Sequence, residues 1–114
     1  MTVTEFLKET SMNKINSPIR PVVICADGIS LSIQASLMHH CSPKADLVNG
    51  EYDTLEVLVD VKGRDWDRFE KHSCSWEDFD ARKTLFNHVS MRFLELFIKE
   101  HGGIETINYI NGGH

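Results

Sequence analysis

The pair Asp27-Gly28 stands between an apolar run, Val22-Val23-Ile24-Cys25, and a segment in which Ile29, Leu31, Ile33 and Ala35 alternate with Ser30, Ser32, Gln34 and Ser36. Asp-Gly accepts the positive φ that a tight hairpin turn requires, and a period of two belongs to a half-buried strand. A chain built this way commits to antiparallel pairing. The aliphatic set lies on one face of the second strand, and a stripe of small hydrogen-bonding side chains lies on the other. A two-residue turn pairs Arg20 with Ala35 and aims Arg20 at the aliphatic face, which places it outside any binding site.

The remaining segments extend this sheet. His39 to Asn49 contains Pro43, has no clear period and ends in a second turn signal, Asn49-Gly50, so it reads as a loop. Leu55, Val57, Val59 and Val61 alternate with Glu56, Leu58 and Asp60 over residues 53–61, a third strand. Between Arg64 and Arg82 the spacing of Trp66, Phe69, Trp76 and Phe79 fits one or two short helical turns, and Ser75 followed by Asp78 resembles a capping box. Lys83 to Val89 is a candidate fourth strand. Ser90 then caps a helix running to about His101, with Met91, Leu94, Phe97 and Ile98 as its apolar stripe and Gly102-Gly103 as its stop. The expected architecture is α+β: a small antiparallel sheet, made of the hairpin plus one or two further strands, with helices toward the C-terminus. Residues 1–17 form a loose lead-in or short helix, residues 18–114 a single domain, and the tail to His114 is frayed.

Charge and cysteine usage narrow the partners. Seventeen acidic against twelve basic residues give a formal net charge of -5, which argues against gripping duplex nucleic acid through counterion release. No stretch approaches a membrane span, and the first residues lack the apolar core of a secretory signal. Cys25, Cys41 and Cys74 are an odd set without CxxC spacing, as expected of reduced thiols. Together these place the protein in the cytoplasm, away from membranes.

Three patches carry a resemblance: Ser32-Ile33-Gln34-Ala35-Ser36, His40-Cys41-Ser42-Pro43-Lys44 and His101-Gly102-Gly103-Ile104. They resemble a group of small phage and prophage proteins in which an Asp-Gly hairpin leads into a Ser-Val-Gln-Ala-Ser strand and an aromatic-Cys-Ser-Pro-Arg loop, with a Tyr-Gly-Tyr-Val-Pro segment before the last helix. The match covers about residues 20–46 and 84–104. This chain departs from the pattern in having Lys44 for Arg, His40 for an aromatic, and Phe86-Asn87-His88-Val89-Ser90 for the Tyr-Gly-Tyr-Val-Pro segment. The group is similar to the type-one Thoeris anti-defence proteins, phage sponges that bind cyclic ADP-ribose-type immune signals, and in some cases cyclic oligonucleotides, without cleaving them. The resemblance implies a host-cell cytoplasmic homo-oligomer with ligand pockets between subunits.

The residues themselves allow three functions. For a nucleotide-binding module, the stripe Ser32, Gln34 and Ser36 with Ser42 offers neutral donors for ribose, Lys44 and Arg92 offer charge for phosphate, and Phe86 with His88 offers an aromatic face. The same residues also have plain readings: the stripe as a solvated strand face, Phe86 as core, and Arg92 as a solvated helix position. An interaction protein that masks a host defence protein is the second possibility. A small hydrolase is the third, using a Cys/His pair or a metal at His39-His40-Cys41 and His72-Ser73-Cys74. Adjacent His-His-Cys is a poor ligand spacing, and no phosphate-cradling glycine loop opens a helix. The expectation is therefore a protein with no catalytic residues, no metal and no cofactor.

Overall fold

The computed structural model describes residues 1–109. Six strands form one antiparallel sheet: β1 (Val22–Cys25), β2 (Ser30–Gln34), β3 (Thr54–Val59), β4 (Ser75–Asp78), β5 (Thr84–Ser90) and β6 (Ile104–Asn108), in the order β4-β5-β3-β2-β1-β6. Four helices accompany them: α1 (Val3–Glu9), α2 (Met12–Ile15), α3 (Trp66–Lys71) and α4 (Met91–Glu100). The α+β class holds, but the sheet is larger than expected. The helices are also dispersed: two precede the sheet, α3 joins β3 to β4, and only α4 lies near the C-terminus. No described helix is long and apolar enough to cross a membrane.

The hairpin forms with a one-residue difference in register. Val23 pairs with Leu31 and Ile24 with Ser30, so Ala26, Asp27 and Gly28 make a three-residue loop in which Gly28 takes φ 96. A glycine in left-handed backbone at the third loop position closes the hairpin with a bulge, an option that Asp-Gly satisfies as well as a two-residue turn. The consequence falls on Arg20, which faces Gln34 instead of Ala35: the Gln34 amide takes Arg20 N–H at 2.8 Å and donates to its carbonyl at 3.0 Å.

Two other segments differ from the sequence reading. Ser75 to Asp78 is the exposed edge strand β4 instead of a helix start, and the Ser75 hydroxyl accepts from Asn87 Nδ2 at 3.0 Å. The aromatic spacing there mixes a helix with a strand: Trp66 on α3 and Trp76 on β4 meet edge to face at 4.7 Å. Beyond Gly102-Gly103, Ile104–Asn108 is not frayed but pairs with β1 as the opposite edge strand. The expectation of fraying beyond Tyr109 concerns residues outside those described.

Most of the large apolar side chains gather on one face of the sheet, while Leu58 and its cross-strand partner Leu85 lie on the other. Val23, Leu31, Ile33, Leu55, Val57, Val59 and Phe86 are buried against Phe69, Phe93, Leu94 and Phe97 from α3 and α4. The ring of Phe69 lies 4.9 Å from Phe93 and 4.9 Å from Phe97. Helix α4 starts at Ser90, whose hydroxyl accepts from Phe93 N–H at 3.3 Å, and its i, i+3, i+4 apolar stripe faces the sheet. The lead-in segment joins this core. Thr2 and Glu5 form a reciprocal capping box at 3.0 and 2.7 Å, and Val3, Phe6 and Leu7 of α1 are fully buried.

Candidate functional site

Packing the helices on one face leaves the opposite face to carry the even-numbered residues of the central strands. Val22 and Ile24 of β1, Ser30 and Ser32 of β2, and Leu58 of β3 line a groove of about 340 Å³, with Lys83 and Asn108 at its sides. A second hollow of about 460 Å³ shares Ser30 and Lys83 with it and adds Asp60, Asp80 and Arg82. Arg82 is paired with Asp60 at 3.2 Å. Backbone N–H groups of Arg82 and Lys83 donate to Asp80, which holds its carboxyl below the usual carboxylate range. The trough therefore has an aliphatic floor, neutral hydroxyl and amide walls, and an exposed ammonium at the junction of its two halves.

At the other end of the same face lies a bulge. Leu55 faces Val89 and Val57 faces Phe86, so Asn87 and His88 together oppose Glu56. The extra residue is accommodated by His88, whose φ of 54 lies in the left-handed region. Histidine is among the side chains that tolerate this conformation, yet a non-glycine residue held there costs roughly 1–3 kcal/mol and recurs at functional sites. The backbone N–H of His88 donates to His40 O at 3.1 Å. Its Nδ1 is 3.0 Å from Thr54 Oγ1, which is 2.7 Å from Ser42 Oγ.

His40 joins this chain from the other side. Glu56 is nearly inaccessible, yet one of its oxygens accepts both the His40 backbone N–H at 2.8 Å and Nδ1 at 3.1 Å, while the His40 side chain is 59% exposed. A carboxylate on Nδ1 fixes the ring's orientation and turns Nε2 outward. The His40 and His88 rings lie 6.4 Å apart at 63°. Two imidazoles so held can share an anionic ligand or hold protons at its oxygens.

The structure distributes the sequence-predicted residues unevenly. Ser42 and His88 come together through Thr54, beside Gln34, which pairs with Glu56 across the β2–β3 ladder. Ser32 lines the trough, but its hydroxyl also accepts from the Gln34 amide at 3.1 Å. Gln34 is fully buried and committed to Arg20 and Ser32, while Ser36 is buried against His39 Nδ1 at 2.6 Å. The stripe is thus a buried polar network over most of its length, and only Ser30 is exposed. Phe86 is fully buried, its ring 5.1 Å from Phe69 and 6.0 Å from Trp66. Lys44 and Arg92 are both exposed, and neither lines the trough. Lys83, His40 and Glu56 were not singled out from the sequence as binding residues. Asn87-His88, two residue types that enter left-handed backbone, is the only sequence signal for the bulge.

The cysteines offer little nucleophilic chemistry. Burial pushes the Cys25 thiol up to about 11 and raises that of Cys41, away from the thiolate a nucleophile needs, while Cys74 is exposed. Among the described residues, no group of three or more His, Cys, Asp or Glu side chains is placed to hold a metal ion. Comparison with family models, curated proteins and solved structures returns no match.

Proposed function

We propose that the protein binds a small anionic nucleotide of the cyclic ADP-ribose or cyclic oligonucleotide class on the open face of its sheet and releases it unchanged. The observation that carries this reading is the trough, where Lys83 stands beside Ser30, Ser32 and Asn108 over the aliphatic floor of Val22, Ile24 and Leu58. An ammonium suits phosphate, hydroxyl and amide groups suit ribose, and an apolar floor suits a base or a sugar face. The volume of about 340 Å³ lies at the lower end of ordinary ligand sites. The sponge role rests on the resemblance of the Ser32–Ser36 and His40–Lys44 segments. Self-association, which the same resemblance implies, is supported by apolar side chains on the open face and by Leu37 and Met38, 58% and 77% exposed.

Calorimetric titration of the protein and of Lys83→Glu with cyclic ADP-ribose tests the reading. Reversing the charge at the junction should weaken binding by at least tenfold, the loss of one charge-assisted contact plus the new repulsion. Equal affinity in both proteins contradicts the placement. The exposed Leu37-Met38 pair also favours a second reading, a surface that docks on a host protein. Under that reading, replacing both with serine abolishes partner capture, and titration with cyclic ADP-ribose is flat throughout.

A further inference from the structure

The geometry points to His40 and His88 as a two-imidazole phosphate subsite, separate from the Lys83 trough and at the opposite end of the same sheet face. This inference rests on the nucleotide-binding reading and gives it a second anion contact. Three observations converge on it. Glu56 holds His40 by both its backbone N–H and Nδ1, which leaves Nε2 as the nitrogen presented outward on a largely exposed side chain. His88 is fixed independently by Thr54 Oγ1 at 3.0 Å and by its own backbone bond to His40 O at 3.1 Å. The chain accepts left-handed backbone at a histidine to put it there, where glycine would adopt φ 54 without strain.

The ring separation suits an oxyanion. With centroids 6.4 Å apart, one phosphate group can accept from a nitrogen of each ring, through one oxygen or through two. Glu56 lies behind His40, so the ring stands between the carboxylate and a bound anion. From Glu56 to Asp60, beside the trough, is about 13 Å along β3 at the usual strand rise. That span, less the reach of the Lys83 and histidine side chains, suits a ligand whose phosphates stand at two separate positions, as in a cyclic dinucleotide, over one with the adjacent phosphates of a pyrophosphate.

His88→Gly separates binding from folding, because it removes the imidazole while suiting the backbone. The experiment is calorimetric titration of the full chain, His88→Gly and His40→Ala with cyclic di-AMP, with a thermal melt of each and chromatography of the recovered ligand. The inference expects His88→Gly to melt no lower than the parent yet bind at least tenfold more weakly, with a similar loss for His40→Ala. If the parent binds and both variants bind equally well, the subsite is overturned and the trough reading stands. If the parent binds cyclic ADP-ribose but not cyclic di-AMP, the subsite is overturned and the trough reading stands; if it binds neither, the trough reading fails and takes this inference with it. Recovery of the hydrolysed linear dinucleotide or AMP in place of intact ligand would overturn both binding without cleavage and the subsite as an anion grip, making the pair an acid–base catalyst.

Discussion

Arg20→Ala should be among the most damaging single substitutions in this chain. Arg20 is 3% exposed, and its guanidinium donates to Thr10 Oγ1 at 3.0 Å, to Leu7 O at 3.1 Å and to Ala35 O. One cation thereby ties the C-terminal end of α1 to the end of β2, and it sits where helix carbonyls lack intrahelical partners. Burial lowers its pKa, a measure of the desolvation it carries. Truncation leaves three acceptors without their donor in a site water reaches poorly, at about 1–2 kcal/mol each. Relief of the buried charge and of side-chain order returns about 2 kcal/mol, for a net loss of about 1–4 kcal/mol. Urea unfolding followed by Trp66 and Trp76 fluorescence should show the midpoint falling by about 0.5–2 M at an ordinary slope. Gln34→Leu, which removes the clamp on the Arg20 backbone, should show strong coupling to it in a double-mutant cycle. A loss below about 1 kcal/mol for Arg20→Ala would refute the argument that this cation fastens α1 to the sheet.

Gly50→Ala should cost more than 2 kcal/mol in the same assay, since a Cβ there would meet Thr4 O at 2.5 Å and the residue holds φ 71; Gly63→Ala, with φ 88 but open space, should cost only about 1 kcal/mol. Asp27 accepts from His101 Nδ1 at 2.5 Å, which holds its carboxyl below the usual range. A depressed carboxylate stabilises the fold above its unfolded pKa, and that contribution is lost as pH falls through the folded value. The stability gap between the parent and Asp27→Asn should therefore persist at neutral pH and close in acid; a gap independent of pH contradicts the pairing. Thiol titration of the native protein should label Cys74 rapidly, and Cys25 and Cys41 only on unfolding.

The elements written in local periodicity were legible in the sequence. Alternation placed Ile33, Leu55, Val57 and Val59 on the core face, and Ser90 with Gly102-Gly103 bracketed α4. The unread elements depend on distant partners. Edge strand β4 has no buried residue to impose a period, and β6 is a strand because β1 offers it an edge. The Ser32–Ser36 stripe was placed on the correct face but not recognised as buried, because its cover comes from Arg20, His39 and other side chains remote in sequence or turned by loops. The chemistry of His88 is legible from its residue type. Its meeting with His40, Glu56 and Thr54 depends on a bulge across the β3–β5 ladder that no local pattern specifies.

The central claim, a nucleotide held and returned intact, is tested most directly by native mass spectrometry of the protein after incubation with a panel of cyclic ADP-ribose isomers and cyclic oligonucleotides. The account predicts at least one added mass equal to an uncleaved panel member, in a whole-number ratio to an oligomer of the 13.0 kDa chain, with the same molecule recovered after heat denaturation. A spectrum of unliganded chain across the panel, or recovery of a cleaved product, would contradict it.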